Sequence, residues 1–445
     1  MDIIGLIPSF GSLLYTVAAF VIALSIIVAV HEYGHYIVGR WSGIHAEVFS
    51  IGFGPVLFSR VDRRGTRWQV AALPLGGYVK FLGDSDAASG RDGAALSGMD
   101  AATQRHTMHG APLWARAATV AAGPVFNFVM SILVFAGFFL VQGVATDQPV
   151  VGQLTPLPSE AQGLRQGDRI LAIEGQDTPD YTRFYAVTET LTPAPSVEYL
   201  VQRDGQQLRV EGPFPLPPLV GAVQPQSAAS SVDMQPGDVV LSIDGTPVHA
   251  FSELRARVAA TEGAPLLLEV WRNGEVFDLA LAPRRMDMPT AAGGFETRWL
   301  IGITGGPAFS PETRRPGAFE AMGQGAQQTW FIARTSLSGL WHMVTGAISS
   351  CNLRGPIGIA ETSGAAAAQG IGAFIWFIAV LSTAVGLLNL FPIPVLDGGH
   401  LVFHAWEAVT GRPPSERALR ILMTAGLALL LTLMVFALTN DIFCP

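Results

Sequence analysis

LLYTVAAFVIALSIIVAVHEYGHY, residues 13–36, decides what kind of molecule this is. About eighteen uncharged, mostly apolar residues, Leu13 to Val30, run straight into His31, Glu32 and His35. A helix crossing a bilayer takes about 20 apolar residues, so this reads as a membrane span ending in three ionisable side chains. HExxH on a helix places two imidazoles at i and i+4, on one face and one turn apart. That spacing suits a tetrahedral zinc, with the glutamate in reach of a coordinated water. A catalytic zinc takes three protein ligands and keeps one position open, so this helix lacks one ligand.

Three further stretches are long enough to span, at about Ala117 to Val144, Ile371 to Leu396 and Leu419 to Leu438. Residues 1–39 contain no Lys or Arg, and no convincing cleavage site follows, so the first stretch reads as an uncleaved span rather than a signal peptide. Arg40, Arg60, Arg63, Arg64, Arg67, Lys80, Arg91, Arg105 and Arg116 crowd the loop between the first two spans. Arg412 and Arg417 sit between the last two, and the two tails carry no basic residue. The positive-inside rule then makes both loops cytoplasmic and puts both termini and residues 145–370 outside.

Spans one and three therefore run in the same direction and end on the same side. The third ends in NLFPIPVLDGGH, residues 389–400, where Asp397 is the acidic residue bordering the span. Charged groups in a membrane are costly and by default have a functional partner. A divalent cation justifies Glu32, Asp397 and two histidines together. The bland alternative, interfacial histidines with Glu32 paired to Arg40, leaves Asp397 at the same depth unexplained. With zinc on His31, His35 and Asp397, Glu32 is placed to take a proton from water and pass it to a leaving amine, which is peptide hydrolysis. Pro392 and Pro394 break the helix just before Asp397 and open a way for water. His400 and His404, just past the DGG turn, read as surface groups in preference to groups supporting the metal ligands, and His106, His109, His249 and His342 as solvated or interfacial.

The apolar, β-rich stretch 46–81 reads as a hairpin turning at Arg63 to Gly65. Its edge could receive an extended substrate by strand addition. Gly52-Phe53-Gly54 would allow close backbone approach there. Residues 83–110, rich in Ala, Gly and Ser, read as a mobile cytoplasmic stretch.

Composition agrees with lipid. The chain has 445 residues, 49% of them hydrophobic and 14% charged, where soluble chains carry about 25% charged residues. A net charge of -8 gives no footprint for nucleic acid. Cys351 and Cys444 are the two cysteines; they read as thiols in preference to a disulfide.

Residues 145–290 repeat themselves with an offset of about 70 residues. GLRQGDRILAIEG (163–175) matches DMQPGDVVLSIDG (233–245), VQRDGQ (201–206) matches VWRNGE (270–275), and PVVGQL (149–154) matches PLVGAV (218–223). Each copy reads as strands with tight glycine turns and one helix, joined by EGPFPLPP (211–218). The pattern resembles permuted PDZ domains, although neither copy shows a GLGF-type loop. A steric filter and a peptide binder both remain open. Residues 318–349 carry apolar groups at helical spacing, as at Phe331, Leu337, Leu340, Trp341 and Val344, and read as an amphipathic helix on the outer membrane face.

HEYGH, SIGFGP…PLGGYVK, AAGPVFNF (121–128), RGPIGIA (354–360) and NLFPIPVLDGGH together resemble the site-2 intramembrane zinc metalloproteases of the bacterial regulator-of-sigma-E group, over nearly the whole length. The resemblance implies one Zn2+ per chain on His31, His35 and Asp397, with Glu32 as general base. It implies that Asn389 and Pro394 help hold the substrate backbone. It also implies single-pass membrane substrates, such as anti-sigma factors and remnant signal peptides, cut during an envelope stress response.

The expected architecture is a polytopic α-helical membrane protein with four transmembrane helices, a membrane-associated β-hairpin and two tandem PDZ domains. Its divisions are a membrane domain at 1–144, PDZ domains at 145–214 and 215–290, an amphipathic linker region at 291–370 and a membrane domain at 371–445. The expected location is the bacterial inner membrane, with termini and PDZ domains periplasmic and the site near the cytoplasmic side. A membrane-anchored PDZ adaptor without hydrolysis is the competing reading; a metal transporter lacks a second polar span.

Overall fold

Apolar residues on every face make α1 (Phe10–Trp41) a single long helix. It continues past Tyr36 and stops at Gly43, whose positive φ lets the Ile44 N–H return to the Gly39 carbonyl at 2.8 Å. The computed structural model describes residues 10–85, 97–159, 163–224, 227–289 and 295–444. Two units are distinguished. The first takes Met1–Phe138, Ala318–Leu340 and Leu353–Cys444; the second takes Phe139–Gly317 and Trp341–Asn352.

In the first unit α1 is followed by β1 (Ala46–Val61), β2 (Arg67–Phe81) and α2 (Leu113–Gln142). Helices α3 (Ala318–Val344), α4 (Pro356–Ala368), α5 (Ile371–Asn389), α6 (Asp397–Thr410) and α7 (Glu416–Phe443) come later in the chain. Among the described residues, four helices are long and apolar enough to cross a membrane: α1, α2, α5 and α7. The third expected span is shorter than its apolar run. Pro392 and Pro394 offer no N–H to continue the ladder, so α5 ends at Asn389 and α6 begins afresh at Asp397. The carboxylate thereby occupies a first helical turn, where the helix dipole favours negative charge.

Between apolar helices in lipid, close packing and hydrogen bonds supply association. Ser131 Oγ donates to the Ala379 carbonyl at 2.8 Å, and Ser382 Oγ to the Asn127 carbonyl at 3.0 Å, joining α2 to α5. Gly34 lets α1 approach α2, because a Cβ there would lie 2.5 Å from the Ala122 carbonyl oxygen. The RGPIGIA motif starts α4, whose N-cap Gly355 has no capping side chain. The Asp441 carboxylate of α7 replaces one, accepting from the N–H groups of Gly355, Ile357 and Gly358 at 2.8–3.1 Å. On α3, Ala321, Gly325, Thr329 and Ala333 are buried, while Phe319, Trp330, Leu337 and Trp341 stand exposed.

The hairpin at 46–81 is more than two ribbons. Both strands bend, β1 at Gly52–Gly54 and β2 at Gly76–Gly77. Residues 46–51 consequently pair with 77–81 on one side and 67–70 on the other, while 56–61 pair with 67–71. Four segments result, with 77–81 at one edge and 56–61 at the other among the described residues. Tyr36, Phe49 and Trp68 pack ring to ring and anchor the sheet to α1. Val56, Leu57 and Phe58 on the far edge are exposed. Of the stretch expected to be mobile, 86–96 lies outside the described residues. Its far end is docked: His106 Nδ1 donates to the Gly43 carbonyl at 2.7 Å, and the Met108 N–H to that of Leu82 at 3.3 Å.

The second unit holds the duplication. Strands Arg169–Ile173, Val197–Arg203 and Gln206–Gly212 form an antiparallel sheet edged by Gln176–Asp177. Val239–Ile243, Leu266–Arg272, Glu275–Leu281 and Thr246–Pro247 repeat the order. Asp204-Gly205 and Asn273-Gly274 turn the matching hairpins with positive φ at both residues, the geometry that suits strand twist. Helices Tyr181–Thr190 and Phe251–Ala260 are the matching helices. Residues beyond the duplication return to it: Ile303–Gly305 pairs with Val220–Val223, and Phe309–Pro311 with Val151–Leu154.

The repeated GD also has a shared purpose. Asp168 is fully buried and takes Arg203 Nε at 2.7 Å and the Arg165 N–H at 2.8 Å. Asp238 takes Arg272 Nε at 2.6 Å and the Gln235 N–H at 2.8 Å in the same way. Arg203→Ala and Arg272→Ala each leave a buried carboxylate unpaired. Each is expected to destabilise its copy by about 3 kcal/mol, the low end for such pairs because the guanidinium reaches solvent. Proteolysis rates of the intact chain would read this out. Losses under about 0.5 kcal/mol, the size of an exposed pair, would mean the carboxylate is hydrated instead.

Both cysteines depart from expectation: Cys351 and Cys444 are disulfide-bonded, and neither is a free thiol. Pairing depends on Cβ proximity in space, to which sparse cysteine usage is blind.

Candidate metal centre

The i, i+4 spacing on α1 brings His31 and His35 edge to face, with ring centroids 4.8 Å apart. Their Nε2 atoms are 3.2 Å apart. The start of α6 delivers Asp397, whose Oδ2 lies 3.1 Å from His31 Nε2 and 3.5 Å from His35 Nε2. The donor atoms of all three residues fall within 4.8 Å of one another, the one such group among the described residues.

Helix α2 makes the floor. His35 Nδ1 meets the Thr119 carbonyl at 2.8 Å, and His31 Nδ1 meets the Asn127 side chain at 3.1 Å. Gly123 lies between them, where a Cβ would come within 2.8 Å of His31 Cε1 and closer still to His35. Segment 77–81 forms the roof, with the Val79 backbone hydrogen-bonded to the Glu32 carboxylate. A Cβ on Gly77 would stand 3.2 Å from Glu32 Cγ.

His31, Glu32, His35, Thr119, Asp397 and residues 77–79 line one cavity of about 320 Å³, together with Asn389, His400 and His404. The two α6 histidines are therefore partly buried in the cavity wall, not surface groups as expected. Amphipathic spacing alone could not separate a solvent face from a cavity face. Burial lowers both imidazoles, and Arg116 adds to the effect on His404, which drops to about 4. Arg116 lines the cavity while its guanidinium grips Glu407 at 3.0 and 2.6 Å. His109, also in the wall, faces Asp84 Oδ1 at 3.3 Å and keeps part of its ring exposed.

Other expected residues sit nearby. Pro394 packs against Gly426 of α7 and precedes Val395, a lining residue. Gly52, Phe53 and Gly54 form the bend of β1 and are not among the lining residues. Phe53 stacks at 5.8 Å on Tyr78, which is. Arg40 donates to Tyr36 Oη. Sequence reasoning missed Thr119, Gly123, Asn127 and the 77–81 edge. The AAGPVFNF run was the available signal for α2, but a glycine's role in it is the room it leaves.

A zinc ion fits this donor set. Asp397 Oδ2 is buried and faces two imidazole nitrogens, yet it completes no hydrogen bond of good geometry. Two nitrogens and a carboxylate oxygen are the ligand types of open catalytic zinc sites. His31, His35 and Asp397 would hold the metal, with Glu32 beside it.

Comparison with known proteins gives the same direction. The model of peptidase family M50 matches residues 19–433. A relative from Rhizobium meliloti carries "zinc metalloprotease" in its name and is 38% identical over 432 residues, 97% of each chain. "Regulator of sigma-E protease RseP" of Salmonella typhimurium is 35% identical over 457 residues, 97% of this chain and 99% of its own. The protein of the same name from Escherichia coli is 34% identical over 462 residues, with the same coverage.

Proposed function

The chain belongs to peptidase family M50, the site-2 type zinc metalloproteases, and from that premise we propose that it cuts transmembrane segments of single-pass membrane proteins. Anti-sigma factors and remnant signal peptides are the substrate types, in an envelope stress response. The carrying observation is the convergence of His31, His35, Asp397 and Glu32 in one cavity among membrane-length helices. Bound by the three ligands, one zinc per chain supplies Lewis acidity toward a peptide carbonyl and water.

The rest is the work of this chain's residues. Glu32 accepts a proton from the attacking water and returns it to the leaving nitrogen. An extended substrate lies along the 77–81 edge, where Gly77 leaves room for its backbone above Glu32. Asn389 and Pro394 hold the substrate backbone from the α5–α6 side. Gly52, Phe53 and Gly54 shape that edge from behind, through Phe53 on Tyr78. Exposed Val56, Leu57 and Phe58 seat the sheet in the membrane interface. The two repeats are PDZ domains, at 145–214 and 215–290, lying in the periplasm with both termini. Either they bind peptide or protein ligands, or they bar bulky substrates. Membrane domains at 1–144 and 371–445 and the amphipathic region at 291–370 complete the inner-membrane protein.

The test is cleavage of a single-pass substrate by the purified chain in detergent. Chelation is expected to stop it, and added zinc to restore it. A chelated sample that cuts at the untreated rate would overturn the metalloprotease reading.

A further inference from the structure

The two zinc-facing histidines are not held alike. His35 Nδ1 donates to a backbone carbonyl, that of Thr119, which leaves the Nε2 lone pair facing Asp397. His31 Nδ1 instead faces the side-chain amide of Asn127, with the NH2 end toward it at 3.1 Å. In that arrangement the ring must accept at Nδ1, so a neutral imidazole carries its proton on Nε2. A protonated Nε2 has no lone pair for a metal.

Asn127 lies where α2 meets α5. It is fully buried, and the backbone carbonyl of the same residue takes the hydroxyls of Ser131 and Ser382 at 3.0 Å each. A Cβ on Gly386 would lie 3.1 Å from Asn127 Cβ, so α5 packs closely against α2 at this residue. What can change is which end of the amide faces the ring, since oxygen and nitrogen are nearly isosteric. Oδ1 has no partner where it stands. The exchange moves the unpaired end to nitrogen, so the histidine decides the matter.

Resting on the zinc reading above, we infer that Asn127 is a positioning residue. Its Oδ1 accepts the Nδ1 proton of His31 and so aims the Nε2 lone pair at the metal. Thr119 and Asn127, eight residues apart on one face of α2, then serve the two histidines of the antiparallel α1 in the same sense. Outer partners of this type set ligand tautomer and orientation, and losing one typically costs 10–100-fold in metal affinity.

The experiment measures zinc affinity by chelator competition, and the Co2+ absorption spectrum, on the full chain in detergent. Asn127→Leu removes the acceptor and is expected to weaken zinc about 10–100-fold and shift the Co2+ bands. Asn127→Asp offers oxygen alone and is expected to bind zinc at least as tightly as wild type, as in carboxylate–histidine–zinc arrangements. A donating amide predicts the opposite, because Asp would set acceptor against acceptor. The inference fails if Asn127→Asp is as weak as Asn127→Leu, or if Asn127→Leu matches wild type. Should Asn127→Leu not fold, as judged by helical circular dichroism, Asn127→Ala removes the same acceptor. Wild type without zinc would sink the metal reading itself, a separate result.

Discussion

Glu32→Gln is expected to hold zinc at the wild-type level and to cleave a single-pass substrate about 10²–10⁴-fold more slowly, the range that a positioned general base contributes. The substitution keeps the size of the side chain. A Gln can still receive the Val79 backbone hydrogen bond through its carbonyl. What it lacks is a carboxylate to take a proton. Asp397→Ala is expected to behave differently. It removes one of three donors within 4.8 Å and should lose both metal and activity. Measuring zinc content and cleavage on the same samples separates the two roles. Equal zinc content in Asp397→Ala and wild type would remove Asp397 from the ligand set. Full activity in Glu32→Gln would remove Glu32 from proton transfer.

Gly123→Ala is expected to cost about 100-fold or more in zinc affinity and in activity, on the scale by which small misplacements in a reacting site are penalised. The added methyl would fall within 2.8 Å of His31 Cε1 and closer still to His35. Neither ring has room to retreat without giving up its bond to α2, at Thr119 or Asn127. Ala is the better helix former by about 1 kcal/mol, so α2 itself should not suffer. The expected signature is a folded, helical protein that no longer holds its metal. Wild-type affinity in Gly123→Ala would show that the histidines are not pinned against α2.

The separation of these predictions follows what could be read where. Glu32 and Asp397 were legible because each is an ionisable residue where hydropathy demands none. The first, second and fourth helices start three or four residues before the expected bounds, and the third span overran its helix. The apolar run to Leu396 continues past Asn389, but a helix needs N–H groups that Pro392 and Pro394 do not have. The repeat was legible as a repeat, down to its Gly turns. That 303–305 and 309–311 pair back onto its strands was not, since three-residue strands carry no period to detect.

By itself, then, the sequence determined the membrane-length helices, the HExxH pair, its acid partner and the duplicated β copies. Each of these is written in local spacing or in charge against an apolar background. Only the tertiary structure decided that Gly123 is the floor of the site, that Asn127 and Thr119 set the two histidines, that segment 77–81 covers Glu32, that His400 and His404 line the cavity, and that both cysteines are oxidised. Those facts are distances between residues far apart in the chain. Packing fixes such distances, and the pattern of any one segment does not contain them.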